Sequence, residues 1–396
     1  MLFLKEIKKI ALTITFIVFL VALIAISASQ DILDFSDMII TAPLQLQGED
    51  FGIQTKEVPE QIMPSAFDSL CEEFAANEYV AYPIGFHKIV KLNDNKREKM
   101  AEIISALSDV PVDDILGYNT DNDKIDIELV LKEDVSYEKF KTYMRRADNL
   151  IGGGSQYSDT NILTFGYVEI TYNEAAEQYN LILEYDHFTG AYARLFCDYI
   201  GFLISILPVF ISITVCLKDR RAKMRDLIYT RQISSFKLVF TRFLAVLTMV
   251  IIPTVILAYI SNLSVWNHYD GMVLDYLAPL KYVLGWLLPS AMISIAVGML
   301  FTELTNTPIA IAIQGLWWFI DINIGVSRLK GVHNLFELTP RHNSLGNTRI
   351  FLDEFNTLFT NRLIITGIAF MFVTATIFVY EQKRRGKIGG YGKIEK

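Results

Sequence analysis

The side chains that most often carry out catalysis are few in this chain and do not gather into a motif. Five histidines are scattered at positions 87, 187, 268, 333 and 342, and the sequence contains no H-E-x-x-H, G-x-S-x-G or C-x-x-C motif. The acid pairs Asp113–Asp114 and Asp353–Glu354 are adjacent residues on expected loops, where carboxylates are usually solvated. The sequence therefore predicts no catalytic, metal-binding or cofactor-binding residues in this chain.

The glycines and cysteines also form no recognised catalytic or binding motif. Three glycines at 152–154 invite comparison with a phosphate loop, but no G-x-x-x-x-G-K-[ST] motif occurs in the chain. A helix that begins after Ser136 and ends at these glycines is the better interpretation. Cys71 is the only cysteine in residues 31–190, so no disulfide can form there, and Cys71 is expected to be a buried small hydrophobe, with free-thiol chemistry as the alternative.

One acidic residue stands out because it lies inside an apolar run. Asp321 falls within residues 308–326, where a carboxylate is costly unless it faces protein or water. Arg328 follows seven residues later on the same helical face and is a candidate partner. Asp321 and Arg328 are therefore candidates either for lining a transport pathway or for a structural ion pair.

Residues 218–237 form a basic loop with an embedded helical pattern. Met224, Leu227 and Ile228 recur at i, i+3 and i+4, which predicts a short amphipathic helix within residues 219–230 and a turn after it. An apolar face of this kind would contact lipid or a partner, and a positively charged loop without a partner is the alternative. The candidate residues are Asp219, Arg220, Arg221, Met224, Arg225, Leu227 and Ile228.

The elements that position these residues follow from composition. The 396 residues are 52% hydrophobic and 20% charged, and the mean hydropathy is +0.32, which is typical of a membrane protein. Crossing a bilayer takes about 20 mostly apolar residues. Six stretches approach that length, and Asp198 and Asp321 are the only acidic residues in them. The predicted spans are residues 10–29, 195–217, 243–263, 282–302, 308–326 and 363–380.

Charge predicts how these spans are oriented. Residues 31–190 contain 31 Asp or Glu and 12 Lys or Arg, whereas basic residues concentrate before the first span, after the second and at the C-terminus. Basic short loops stay cytoplasmic. Both termini are therefore expected in the cytoplasm, with residues 31–190 on the outer side of the membrane. A cleaved signal peptide is the alternative for the first span, and the net charge of -8 argues against nucleic acid as a partner.

Three domains follow: residues 1–30 with the first span, an extracytoplasmic domain at 31–190, and residues 191–396 with the other five spans. In the middle domain, apolar residues at 101, 103, 104 and 107 predict a helix, and alternation at 125–131 predicts a strand. A second strand is expected near 162–170, with a helix from about Asn173. The expected fold is an all-α six-helix membrane domain with an inserted α/β or α+β domain.

Small residues mark one face of the fourth span. Ser290, Ser294, Gly298 and Thr302 recur at steps of four, which lets another helix approach closely. The seam could serve packing within the subunit or between subunits. Pro208, Pro253 and Pro289 each fall near mid-span, where proline usually kinks a helix.

This arrangement resembles the permease subunit of ABC-2 type transporters. In that family one span is followed by a large outer domain and five further spans, and a cytoplasmic coupling segment lies between the second and third spans. Asp219, the pair Leu227–Ile228, the turn at 231–234 and Lys237 or Arg242 follow the family's order. The family's usual glycine is missing near Lys223, and Gln232 stands where proline is common.

The resemblance implies a coupling helix docked on a separate ATP-binding cassette ATPase subunit that binds ATP and Mg²⁺. It also implies a homodimer, or a heterodimer with a related permease, that is embedded in membrane lipid and exports a lipid, a peptide or an antibiotic-like molecule. The main alternative is a non-transporting receptor or anchor whose acidic outer domain binds an extracellular ligand. A mechanotransmission permease would have three spans after the outer domain, where five are expected, and an intramembrane enzyme lacks a motif.

Overall fold

The computed structural model describes residues 2–45, 50–82, 87–117, 129–230, 232–326 and 333–387, and this part of the chain is mostly helical. Its contacts divide it into two compact units. The first contains the described residues of Met1–Ala42, Glu177–Ile322 and Lys330–Lys396. The second contains those of Pro43–Ala176 and Asn323–Leu329.

The helices and strands are numbered in chain order. The helices up to the first long apolar one are α1 (Leu2–Ala11), α2 (Ile14–Ser29), α3 (Pro59–Ala76), α4 (Asp94–Ser108), α5 (Val112–Leu116), α6 (Tyr137–Ile151), α7 (Tyr172–Leu181) and α8 (Thr189–Ile206). The remaining helices are α9 (Pro208–Arg221), α10 (Arg225–Tyr229), α11 (Ser235–Ser261), α12 (Leu263–His268), α13 (Ala278–Tyr282), α14 (Leu288–Thr305), α15 (Ala310–Val326), α16 (Thr348–Asp353) and α17 (Phe355–Arg384). The strands are β1 (Ile53–Thr55), β2 (Tyr79–Ala81), β3 (Lys88–Val90) and β4 (Tyr167–Glu169).

Four helical stretches in the described chain are long and apolar enough to cross a membrane. They are Thr189–Arg221, Ser235–His268, Ala278–Thr305 and Phe355–Arg384. Each contains one of the spans predicted from hydropathy, and each exceeds the roughly 20 residues that a bilayer requires. These four predicted spans are confirmed as helices of suitable length and composition.

The other two predicted spans do not form single helices of full spanning length. Residues 10–29 are not one helix, because α1 and α2 are bent by 68° where Thr13 caps α2 and accepts a hydrogen bond from the Phe16 N–H. The pair would count as a fifth span if it crosses as one element. Helix α15 has 17 residues, about 26 Å at 1.5 Å per residue, slightly less than a hydrocarbon core of about 30 Å. The count of six remains a prediction.

Proline and small residues shape the bundle. Pro208 starts α9 directly after a break at Leu207, and Pro289 follows a π-helical turn at Val283–Leu287, so both interrupt their spans, whereas Pro253 lies inside the continuous α11.

A Cβ on Gly298 would lie 1.8 Å from Ser212 Oγ, so α9 packs directly against this glycine. Close approach of this kind needs a residue without a side chain.

The second unit has its own hydrophobic core, built mainly from α3, α4 and α6. The predicted helix around 101–107 is confirmed as α4. The helix expected after Ser136 is confirmed as α6, since Ser136 accepts a hydrogen bond from the Lys139 N–H and the chain leaves the helix at Gly152 with φ +119. Both ends were predictable because they depend on local capping.

Strand predictions for this unit were less successful. Residues 118–128, which contain most of the expected strand at 125–131, lie outside the described residues, and 129–131 form no strand. The expected strand at 162–170 is shorter, because Ile162–Phe165 is a 3₁₀ turn before β4. Strand β1 pairs with β4 and β2 pairs with β3, both antiparallel, which fits an α+β arrangement better than α/β.

Cys71 lies in the core of this unit, as predicted for a small hydrophobe. Its side chain is buried in α3, and burial raises the pKa of the thiol to about 12. A thiol with this pKa carries almost no thiolate at neutral pH, and thiolate is the reactive form. Packing is therefore the role of Cys71 that its surroundings support.

Candidate functional site

The basic loop between α9 and α11 does not contain the single helix predicted for residues 219–230. Helix α9 continues to Arg221, and the chain then reverses at Lys223, which has a left-handed φ of +54. The Lys223 N–H donates to the Arg220 carbonyl, and the Met224 N–H donates to the Asp219 carbonyl. This pair of bonds is a Schellman motif, which ends one helix and allows the short α10 to begin in a new direction.

A short helix does lie within residues 219–230, but the prediction missed the end of α9 and the turn before α10, because periodicity cannot detect this reversal. Schellman motifs usually place glycine at the left-handed position, and Lys223 occupies it here. The glycine that is usual in ABC-2 permeases, and missing near Lys223 here, would lie at this turn. The sequence alone did not indicate the turn. Three of the candidate residues, Asp219, Arg220 and Arg221, belong to the end of a span and not to the short connecting helix.

Asp219 faces the bundle. Its carboxylate accepts a hydrogen bond from the guanidinium of Arg242 in α11, and the side chain of Glu6 in α1 lies 3.8 Å from the Arg242 Nε. Arg242 and Glu6 are both buried. This cluster joins α1, α9 and α11. The sequence contained both charged residues of the pair but did not indicate that they meet.

Arg220 and the last turn of α17 bind the turn that follows α14. Arg220 donates a 2.7 Å hydrogen bond to the Asn306 carbonyl, and the Lys383 ammonium donates to the Asn306 Oδ1 at 2.9 Å. The Lys383 ammonium also contacts the Glu303 carbonyl. Cations placed near the last carbonyls of a helix stabilise its C-terminus. These contacts therefore connect α9, α14 and α17 at one end of the bundle, which we call the α10 end.

Helix α10 itself is attached to α17. The Arg384 guanidinium donates to the Tyr229 carbonyl at 3.0 Å and to the Ile233 carbonyl at 2.6 Å. The ring of Tyr229 packs edge-on against Tyr380, with 5.4 Å between the ring centroids. The carbonyls at the end of a helix lack partners within it, and here α17 supplies them. Helix α10 is therefore held in a defined position relative to α17.

Two apolar side chains remain exposed on the side of α10 that faces away from the bundle. Met224 is 44% exposed and Leu227 is 58% exposed, whereas Ile228 packs against the core of the bundle. The predicted apolar face of three residues is thus divided into an inward anchor and an outward pair. Arg221 is exposed beside them, and the side chain of Arg225 lies outside those the structure describes. The result is a short, fixed helix that presents apolar surface.

The opposite end of the bundle contains a non-helical segment, residues 333–347. Asp321 in α15 accepts hydrogen bonds from the Leu338 and Thr339 N–H groups, each at 2.9 Å. Asp198 in α8 accepts two more from the N–H groups of His342 and Asn343, also at 2.9 Å. The two acids inside predicted spans therefore share one role, which is to satisfy backbone donors of this segment.

The carbonyls of the same segment also find partners on the spans. The Arg362 guanidinium of α17 donates to the Glu337 carbonyl at 2.6 Å, and Ser290 of α14 donates to the Leu338 carbonyl at 2.7 Å. The Arg362 group bonds to the Ser290 hydroxyl as well, at 2.9 Å. Irregular backbone at membrane depth is tolerated only where protein satisfies its polar groups, and residues 333–347 meet that condition.

The predicted partner of Asp321 cannot be placed, because residues 327–332, including Arg328, lie outside the described residues. Their ion pair remains a prediction. What the structure shows is a carboxylate whose two oxygens both accept from backbone N–H groups. Asp321 therefore anchors a loop, a function that neither of the two expectations included.

All four small residues of the seam on α14 are buried within the chain. Gly298 touches α9, Ser294 donates to the Ile206 carbonyl at 3.4 Å, and Ser290 joins the network at residues 333–347. Thr302 lies at the α10 end of the same helix. Of the two predicted uses of the seam, packing within the subunit is the one these contacts support.

A buried ion pair near the start of α8 had no sequence signal. The Arg194 guanidinium is fully buried and donates to both carboxylate oxygens of Asp186, at 2.8 and 3.0 Å. The Thr348 hydroxyl donates to Asp186 at 2.7 Å, and the Phe351 ring covers the guanidinium at 4.7 Å. A bidentate pair with further hydrogen bonds is the arrangement in which burial of two charges is tolerated. It fixes α16 beside α8.

Comparison of the chain with protein-family models, with curated proteins and with solved structures finds no match. No family is therefore assigned, and a function can be inferred only from α10 and from the bundle that holds it.

Proposed function

We propose that this chain is the permease subunit of an ABC-2-like exporter in a bacterial plasma membrane. In this proposal α10 is the coupling helix, and a separate ATP-binding cassette subunit binds ATP and Mg²⁺. Two permeases, identical or related, pair with two ATPases. Both termini are cytoplasmic, residues 31–190 are outside, and the cargo is a lipid, a peptide or an antibiotic-like molecule.

The observation that carries the proposal is the geometry of α10. Met224 and Leu227 lie one helical turn apart and point away from the bundle, while Ile228 and Tyr229 anchor the other side. A short helix with apolar residues at i and i+3 is suited to a groove on a partner. Free exposure of two large apolar side chains on a fixed helix also favours an interface over a solvated loop.

The attachments of α10 provide a route for force. Arg384 and Tyr380 connect it to α17, and the Schellman turn at Lys223 connects it to α9. Helix α9 is joined in turn to α11 through Asp219 and Arg242. A partner that moves α10 would therefore displace the ends of three spans together, and this is what coupling of ATP hydrolysis to transport requires.

The experiment is affinity purification of the full-length chain from its native membrane, followed by identification of any co-purifying phosphate-loop ATPase. The wild-type chain should recover one. Leu227→Asp removes an apolar contact of about 2 kcal/mol and should reduce recovery roughly thirtyfold. Ile53→Asp is the matched control, because Ile53 is 69% exposed and lies on β1 in the predicted outer domain.

Two results would argue against the proposal. Absence of an ATPase from the wild-type preparation would remove the transporter hypothesis and leave the receptor or anchor as the better candidate. Equal recovery with Leu227→Asp and with Ile53→Asp would remove α10 from the interface even if an ATPase is present.

A further inference from the structure

A groove of about 630 Å³ lies between the first turns of α14, with the π-helical turn before them, and the first turns of α17. This volume is within the range of about 300–1,000 Å³ that small-molecule sites usually have. Its long walls are apolar. The residues that line them include Leu284, Gly285, Pro289, Met292, Phe359 and Leu363.

The mouth of the groove opens on the outer face of two membrane-spanning helices. Leu284, Phe359 and Leu363 line it and are 42%, 53% and 57% exposed. Leu363 lies about 12 Å along α17 from Phe355. Leu284 and Leu363 lie at the start of the predicted spans 282–302 and 363–380, so this side of the mouth faces the border of the hydrocarbon, where acyl chains of the bilayer are the nearest molecules.

At the rim of the groove, the acidic and basic side chains among its described lining residues are paired, whereas Arg362 at the deep side is hydrogen-bonded to neutral groups. At the rim, Lys281 forms a 2.6 Å ion pair with Asp275, and Asp186 is bound by Arg194. Arg362 at the deep side donates to backbone carbonyls and to Ser290. These partners leave no excess of one sign at the mouth. The groove therefore selects for hydrocarbon and not for a charged headgroup.

We propose that this groove binds one acyl chain of a bilayer phospholipid, taken from the leaflet at the end of the bundle that holds residues 333–347. An apolar concavity of this size that opens to hydrocarbon is better filled by a flexible chain than by water, which needs two to four polar partners. The proposal requires only that α14 and α17 span the membrane. It does not depend on an ATPase partner or on transport.

Gly285 offers a precise way to fill the groove. It lines the groove, and a Cβ built on it would meet nothing within 4 Å, so a side chain can start there and Gly285→Leu adds side-chain volume to the groove. Gly315 in α15 is the matched control, since a Cβ there also meets nothing within 4 Å and the residue lies outside the groove. Leu284→Trp at the exposed lip is a second blocking variant in case the first is poorly folded.

The experiment reconstitutes the full-length chain in lipid nanodiscs that contain a phospholipid with a diazirine in the middle of one acyl chain. After illumination, cross-linked peptides are mapped by mass spectrometry. The wild-type chain should be labelled within residues 284–292 and 355–366. Labelling there should be about tenfold lower in Gly285→Leu and in Leu284→Trp, and unchanged in Gly315→Leu. Phosphatidylglycerol and phosphatidylethanolamine probes should label equally.

Three outcomes would overturn the proposal. The first is labelling of the two segments that is equal in the blocked variants and the wild type, and the second is labelling confined to other segments. The third is a disulfide-linked dimer of Gly285→Cys, which would place a second copy of the chain in the groove. A strong preference for one phospholipid headgroup would overturn selection for the chain alone.

Discussion

The two ends of the helix bundle hold their connecting segments in different ways, because buried carboxylates take part at only one of them. At residues 333–347, the carboxylates of Asp198 and Asp321 accept hydrogen bonds from backbone N–H groups deep among the spans. At the α10 end, the guanidinium groups of Arg220 and Arg384 donate to backbone carbonyls close to the surface. Ser290 and Glu303, which belong to α14 and contact the two regions, are about 20 Å apart along that helix.

The two segments differ in how completely protein surrounds them. A buried backbone group that loses its partner incurs the full cost of desolvation, whereas a surface group regains water. Residues 333–347 are therefore bound into the bundle, while α10 is attached on one side and leaves Met224 and Leu227 exposed. Substitutions at the two ends should differ in size accordingly.

The largest effect is expected for Asp321→Ala. It leaves the Leu338 and Thr339 N–H groups buried without an acceptor and should lower the free energy of unfolding by roughly 3–5 kcal/mol. The measurement is thermal unfolding of the purified chain in detergent. Asp353→Ala, which truncates an exposed carboxylate, is the control. Similar melting temperatures for the two variants would contradict the anchoring role.

The next effect concerns the buried pair at the α10 end. A double-mutant cycle with Asp219→Asn and Arg242→Met should give a coupling energy of roughly 2–3 kcal/mol, because Arg242→Met removes the cation between two carboxylates, whereas Asp219→Asn leaves Arg242 with Glu6. Arg242→Met alone should therefore be less stable than the double variant, which has one carboxylate fewer. Additive effects in the same unfolding assay would show that the two side chains do not act together.

A pH-dependent change of about 2 kcal/mol in the free energy of unfolding is expected from His342, which lies in residues 333–347. Burial, and next the positive charge of Arg194, lower the pKa of His342 from 6.5 to about 4. The unfolded chain binds the proton below about pH 6.5 while the folded chain does not, so the stability is full at pH 7 and falls as the pH decreases toward 4.

The measurement compares unfolding at pH 7 and pH 5. His342→Gln should be less sensitive to this change than the wild type by about 2 kcal/mol, and the exposed His268→Gln serves as the matched variant. An identical pH response of the wild type and His342→Gln would exclude His342 as the source.

The smallest effect is expected at the turn between α9 and α10. Lys223 has a left-handed backbone conformation that costs a residue with a side chain more than glycine. Lys223→Gly should therefore raise stability by about 1 kcal/mol or less, and Lys223→Val should lower it. A loss of stability in Lys223→Gly would indicate that the Lys223 side chain, and not the turn, matters at this position.

Local features were predictable from the sequence. Apolar runs indicated six spans, four of which are helices long and apolar enough to cross a membrane, and Ser136 and Gly152 indicated both ends of α6, since capping and hydropathy depend on neighbours in the chain. The helix predicted within 219–230 is shorter than expected, and the turn before it was missed. The end of α9 depends on a backbone conformation at Lys223 that side-chain periodicity does not report.

The amino-acid sequence alone shows where apolar helices form, where charge accumulates and which acids lie within the predicted spans. What those acids do depends on the tertiary structure, because their partners are distant in the chain: Asp198 accepts from His342 across 144 positions, and Asp321 accepts from Leu338 across 17. Hydrogen bonds between such residues form only after the helices have packed. The groove between α14 and α17 depends on packing in the same way.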